Sequence, residues 1–462
     1  MLPTSAPTPT DAGRPARRRG AVPAVLGVLL VVGLAARVPM LAEQSSDYRA
    51  FLLPWYTHLV DAGGFAGLAD AGFSNYDTPY LVLLAVLTHL PVDPLVGVKA
   101  ISIVFDGLLA GFAYGIVREV RPASRWPAVT AYGVTFLLPT VVLNGAWWAQ
   151  CDSVYASLCL GSLFFLLRRQ TALGCAFFGL AFAFKLQAVF FAPALLVLVL
   201  VDRQRLRGLV LAPVTFLAAL VPAWVAGRGL VSQLMVYPTQ VANPSGAAGG
   251  GGGGSRPARG LGGGGRGDGG FGGGGPGGGG GAGGGGPASA HSFTSNAPTW
   301  YAWLPADAST VWKWVGLGVA AAVALGFVGW LLTRGRRLDR RELLLVAATL
   351  SLVVPLLLPE MHERYLYLGE VLAVVAAFVD RRFLVAAALM QVATLSTYWS
   401  YLRGTTVLSL ELAAVLALAA AVVASAVLVR RVGNRQGPEG GRLLSPPAEV
   451  PVAGAPGIRG TA

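Results

Sequence analysis

The chain has 462 residues, of which 54% are hydrophobic and only 12% charged, with a formal net charge of +13. Soluble domains carry about 25% charged residues, so the composition excludes an ordinary soluble enzyme and points to a polytopic membrane protein. The basic excess falls in short arginine clusters between apolar runs, the pattern of cytoplasmic loops, and this excludes nucleic acid as a partner.

Residues 1–20 are rich in Pro and Arg and read as a disordered cytoplasmic tail. Apolar runs follow near 21–42, 95–117, 126–143, 152–167, 171–184, 187–201, 208–226, 311–332, 343–358, 366–379, 383–399 and 407–429. An all-α fold of about 12 transmembrane helices is therefore expected. The first run follows Arg14 and Arg17 to Arg19 as a signal peptide would, but the many later spans need a starting orientation, so it reads as a retained anchor. With the N-terminus inside, each cytoplasmic loop is basic: Arg118/Arg121/Arg125, Arg168/Arg169, Arg203/Arg205/Arg207, Arg334 to Arg341, Arg381/Arg382 and Arg430/Arg431. Both termini are then cytoplasmic.

The run Pro79–Leu90 is too short to cross a bilayer and reads as an interfacial helix on the outer face. Residues 43–94 thereby become one long external loop. They belong to an N-terminal module over 21–245, followed by a Gly-rich disordered external insertion at 246–287 with no apolar core. A C-terminal module covers 288–431, and a second cytoplasmic tail covers 432–462. Cys151, Cys159 and Cys175 lie in or beside predicted spans without metal-ligand spacing and read as packing residues.

This topology brings several polar motifs to the outer side. Asp47 follows the first span, Asn75-Tyr76-Asp77 precedes the interfacial helix, and Trp147 to Ser153, with Gln150 and Asp152, opens the fourth span. Lys185 and Gln187 sit at the tip between two runs of only about 21–23 Å as helix, which leaves Lys185 at the floor of an outward cavity. The segment Pro359-Glu360-Met361-His362-Glu363-Arg364-Tyr365 interrupts two apolar runs with ionisable groups, a functional-site signature in a membrane protein.

Each motif has two readings. Asp47 is a proton acceptor for a hydroxyl nucleophile or a surface acid. Arg364 and Lys185 hold a phosphate, or Arg364 pairs with Glu360 one turn away and Lys185 snorkels to the interface. His362 contacts a phosphate oxygen or caps a helix, Asp152 binds sugar hydroxyls or caps the fourth span, and Glu363 orients its neighbours. Phosphate-loop, zinc-protease and nucleophile-elbow motifs are absent from the sequence.

Together these residues resemble the GT-C glycosyltransferases, and in particular bacterial relatives of the GPI mannosyltransferases. The resemblance runs over most of 21–430 and is carried by Asp47, Phe51 and Trp55; Asn75-Tyr76 to Pro79-Tyr80-Leu81; Trp148 to Asp152; Ala181 to Ala188; Ser295-Asn296-Ala297-Pro298; and Met361 to Tyr365. The chain departs from the pattern at Asp77-Thr78, where a doubled proline is usual, and at Ala149, where glycine is usual.

The resemblance implies inverting transfer of a hexose, with mannose expected, from a polyprenyl-phosphate donor to a lipid-, glycan- or protein-linked acceptor outside the cytoplasmic membrane. It makes Asp47 the general base. Arg364, Lys185, His362 and Tyr365 are expected at the donor phosphate, and Asn75, Tyr76, Gln150, Asp152, Gln187 and Glu363 at the substrate. With fixed cations and a helix N-terminus available, no metal or other cofactor is required. The rival readings are a transporter or flippase, disfavoured by the absence of repeated halves, and a polymerase or ligase of surface polysaccharide.

Overall fold

The computed structural model describes residues 21–201, 206–242, 293–305, 308–334 and 338–433. The Gly-rich insertion, residues 1–20, the tail after 433, and Arg203, Arg205, Arg336 and Arg337 of the expected basic loops lie outside the described residues.

The first half contains α1 (Ala21–Arg37), α2 (Leu53–Asp61), α3 (Thr78–Leu87), α4 (Pro94–Val120), α5 (Trp126–Phe136) and α6 (Pro139–Val142). It continues with α7 (Asp152–Leu167), α8 (Thr171–Phe184), α9 (Ala192–Val201), α10 (Leu211–Val225), α11 (Leu230–Leu234) and α12 (Val236–Ala242). The second half contains α13 (Val311–Thr333), α14 (Arg340–Leu357), α15 (Tyr367–Ala377), α16 (Phe383–Arg403) and α17 (Leu410–Gly433). The two-residue strands β1 (Thr294–Ser295) and β2 (Met361–His362) pair in parallel, Thr294 opposite Met361.

Every apolar run forms a helix, but fewer than the expected 12 are by themselves long and apolar enough to cross a membrane. Among the described residues six helices are long and apolar enough to cross a membrane, or seven if the bent pair Trp126–Phe136 and Pro139–Trp147 is one span. The difference lies in length: α8 has 14 residues, about 21 Å of helix against the roughly 30 Å of a bilayer's hydrocarbon core. The helices α7 and α15 are enclosed on nearly every side, whereas α1, α10 and α13, each within a segment long enough to cross, bury few residues.

The run expected to lie at the interface forms α3, which is also held by protein. Asp77 caps α3 by accepting from Thr78 N at 2.8 Å, yet α3 is packed by α2, α8 and α10 and buries Tyr80, Leu81, Leu84 and Ala85 instead of resting on the surface. One buried cluster draws on both halves of the chain, from Leu84 and Leu160 to Leu344, Val371 and Ala417.

The bundle has two chemically distinct ends. At the far end of α4, Glu119 meets Arg340 at 3.0 Å and Arg168 at 3.6 Å. At the near end, where α1 finishes and α7 and α15 begin, the polar motifs gather.

Candidate active site

The lock on the Asp47 segment starts on α4. Lys99, fully buried, donates from Nζ to the carbonyls of Met40 at 2.6 Å, Leu41 at 3.2 Å and Glu43 at 2.5 Å. A cation suits these carbonyls because they end the first span and carry the negative pole of its dipole. Ser102, one turn further along α4, donates to the Gln150 carbonyl at 2.6 Å, and Ser153 donates to the Ser102 carbonyl at 3.0 Å. One more turn on, Asp106 receives the Arg37 guanidinium at 2.8 Å. Residues 99, 102 and 106 lie on one helix face, and this stripe fastens both loops that meet at the site.

Ser45 completes the junction by donating to the Trp148 carbonyl at 2.6 Å while accepting from Tyr48 N at 3.1 Å. Asp47 then sits among four donors: Trp148 Nε1 at 3.0 Å, Gln150 Nε2 and Arg364 Nη1 at 3.4 Å reach Oδ2, and the Tyr401 hydroxyl reaches Oδ1. The turn that delivers Trp148 and Gln150 passes through Ala149 at φ +64°, a backbone region that favours glycine. The departure at Ala149 therefore coincides with local strain. At the other departure, Thr78 Oγ1 donates to Gln233 Oε1 at 2.8 Å, and Asp77 accepts from an amide that proline lacks. Burial pushes Asp77 up to about 6, against the pull of the Thr78 amide and Arg228.

Asp47, Arg364 and Lys185 line one cavity of about 270 Å³. α8 ends before Lys185, whose Nζ pairs with Asp152 at 2.6 Å and lies 5.8 Å from the Tyr76 ring centroid. Asn144 holds the other Asp152 oxygen at 2.8 Å. Arg364 also approaches Glu363 at 3.5 Å and lies 5.5 Å from the Trp148 ring centroid. Burial works against the Arg364 charge, but Asp47 and Glu363 outweigh it and hold the group well above its ordinary value. Arg364 Nε and Gln187 Oε1 are buried with no hydrogen-bond partner among the described residues, and such atoms mark polar capacity left for a ligand.

The loop carrying Arg364 is held from outside. Glu360 N donates to the Phe293 carbonyl at 2.7 Å, β1 pairs with β2, and Asn296 Nδ2 donates to the Thr397 carbonyl at 3.1 Å. Burial drives His362 down to about 3, helped by Arg364 and Lys185, so its imidazole is neutral. Burial lifts Glu363 to about 7 although Arg364 draws it down.

Of the residues expected at the site, Asp47, Asn75, Tyr76, Gln150, Lys185, Gln187, His362, Arg364 and Tyr365 all line this cavity. Asp152 and Glu363 do not; both are buried behind the wall, pairing with Lys185 and Arg364. Three alternatives are corrected. Glu360 pairs with Lys313 at 2.9 Å instead of Arg364, and the His362 side chain makes no capping bond. Lys185 is buried, not snorkelling. Sequence reasoning passed over Tyr401, Tyr237 and Gln240, which also line the cavity. The one available signal was the polar-aromatic run Tyr398-Trp399-Ser400-Tyr401 closing a span.

No curated protein matches the chain. Residues 74–248 match Glycosyltransferase family 87, a stretch that includes Asn75, Tyr76, Gln150, Asp152, Lys185 and Gln187 and stops short of both Asp47 and Arg364. On a bundle of long apolar helices, that similarity indicates a membrane glycosyltransferase.

Proposed function

We propose that the cavity transfers a hexose, with mannose the expected sugar, from a polyprenyl-phosphate donor to an acceptor hydroxyl on the extracytoplasmic side, with inversion. The single observation carrying this reading is that the carboxylate of Asp47 and two cations, the half-buried Arg364 and the buried Lys185, line one cavity, with Asp77 as its second carboxylate. Asp47 takes the proton from the acceptor hydroxyl as its oxygen attacks the anomeric carbon. The bond from that carbon to the phosphate oxygen breaks, and the leaving lipid phosphate gains charge that Arg364 and Lys185 offset. His362, neutral at physiological pH, and Tyr365 serve as hydrogen-bond partners of the phosphate. Asn75, Tyr76, Gln150 and Gln187 meet the sugar, while Asp152 and Glu363 act through the cations they hold. The basic far end of the bundle, with Arg168 and Arg340, supports a cytoplasmic placement for that end and an outward one for the cavity.

The test is transfer of labelled mannose or glucose from a polyprenyl-phosphate sugar to a membrane acceptor by the purified chain. Transfer with inverted anomeric configuration is expected; solute uptake without transfer would favour a transporter, and elongation of a polysaccharide a polymerase or ligase.

A further inference from the structure

The candidate base is ringed by donors. Asp47 Oδ2 takes donors from Trp148, Gln150 and Arg364, and among the described residues Oδ1 takes only the Tyr401 hydroxyl. A carboxylate that removes a proton from an attacking hydroxyl must first accept that hydroxyl's hydrogen bond. A place for it opens most readily if one of the four donors leaves.

Three of them are poorly placed to do so. Trp148 is fully buried and Gln150 nearly so, and Arg364 is pinned between two carboxylates. Tyr401 differs: it is 38% exposed, lines the cavity, and its hydroxyl lies 3.0 Å from the exposed Ser46 Oγ. A second partner therefore waits for the phenol if it leaves Oδ1. Its ring lies on Trp148 at 4.5 Å and 22°.

We propose that Tyr401 holds the acceptor's seat on Asp47 Oδ1 and yields it to the incoming hydroxyl by turning to Ser46. The acceptor is a sugar or polyol, whose C–H face matches the exposed ring of Tyr401 and whose hydroxyl replaces the phenol. The proposal rests on Asp47 being the base.

The arrangement solves a problem of water. If Oδ1 stood open while donor was bound, water would bind there. Its proton would pass to Asp47, its oxygen would bond to the anomeric carbon, the carbon–phosphate oxygen bond would break, and free hexose would be lost. A phenol on Oδ1 blocks water, yet a sugar that brings its own stacking surface displaces it.

Tyr401→Phe keeps the ring on Trp148 and removes only the hydroxyl. With polyprenyl-phosphate mannose and no acceptor, the variant should release free mannose about tenfold faster than the parent chain, the worth of one hydrogen bond to a charged group. With an alkyl mannoside as the acceptor probe, its KM should fall by a similar factor. Ser46→Ala, which removes the phenol's second partner, should raise that KM several-fold without raising hydrolysis. In Tyr401→Phe/Asp47→Asn the excess hydrolysis should vanish.

Unchanged hydrolysis and unchanged acceptor KM in Tyr401→Phe would overturn the proposal. So would a hundredfold fall in kcat at constant KM, because Tyr401 would then take part in proton transfer. Excess hydrolysis that survives in the double variant would also refute it. Full transfer by Asp47→Asn alone would instead sink the base assignment, a separate failure.

Discussion

The Lys185–Asp152 pair separates folding from chemistry more cleanly than any other contact in the site. Both side chains are buried and the Nζ to Oδ1 distance is 2.6 Å. Lys185→Met strands the Asp152 charge, and breaking a buried pair from one side costs about 3–5 kcal/mol of stability. Replacing both partners, in Lys185→Met/Asp152→Asn, leaves no uncompensated charge and should recover most of that loss. Activity should not follow. If the ammonium faces the leaving phosphate, both variants lack one fixed donor, worth about 100- to 1000-fold in kcat. Unfolding midpoints in detergent measure the first quantity, and single-turnover transfer from polyprenyl-phosphate mannose measures the second. A double variant that regains stability and transfers sugar at near the parent rate would refute the phosphate role and leave Lys185 as the structural partner of Asp152.

Arg364→Gln should lower kcat/KM for the donor by about 100-fold or more, and Arg364→Lys should restore only part of it, because ammonium lacks the planar fork; titration with donor and steady-state rates distinguish the cases. Lys99→Met should lower kcat with little change in donor KM, since Lys99 touches the carbonyls ahead of Asp47 and not the cavity; recovery in Lys99→Arg would mark the cation as what holds the segment. His362 has its pKa depressed from 6.5 to about 3. Its neutral form therefore contributes stability that is present above 6.5 and is lost as pH falls toward 3, and His362→Asn should flatten that part of the unfolding-versus-pH curve. Glu363 runs the other way: raised from 4.5 to about 7, it contributes stability below 4.5 that is lost as pH rises through 7. Glu363→Gln should remove that decline.

The helices were legible because an apolar run long enough to cover a turn or more of lipid- or core-facing surface leaves its mark in composition alone. The run 171–184 is a helix with the same bounds, and 311–332 differs by one residue at its end. Whether a helix crosses was not legible for α7 and α15, because enclosure by neighbours makes a short apolar helix as favourable as a spanning one. α3 is ambiguous for a related reason: seven of its ten residues are buried while Val86 is exposed, and composition alone does not tell such a helix from one resting on the surface.

The site followed a different rule. Asp47, Lys185 and Arg364 were readable because isolated charge is costly between apolar runs, and topology alone sent them to one end. Their partners were not. Asp152 read as a sugar ligand until its contact with Lys185 explained the acid, and Tyr401 meets Asp47 from 354 positions away. The polar-aromatic run Tyr398 to Tyr401 is its one local mark. Lys99 was hidden inside a long span because its acceptors are backbone carbonyls, which carry no residue-specific trace.

The most direct measurement is the paired determination of transfer rate and donor affinity in Asp47→Asn. Substituting the amide keeps the shape and removes the proton acceptor. Transfer should fall by about 100- to 10,000-fold, the usual worth of general base catalysis, while the dissociation constant for polyprenyl-phosphate mannose stays within a few-fold of the parent value. Transfer at the parent rate with intact donor binding would contradict Asp47 as the base of this cavity.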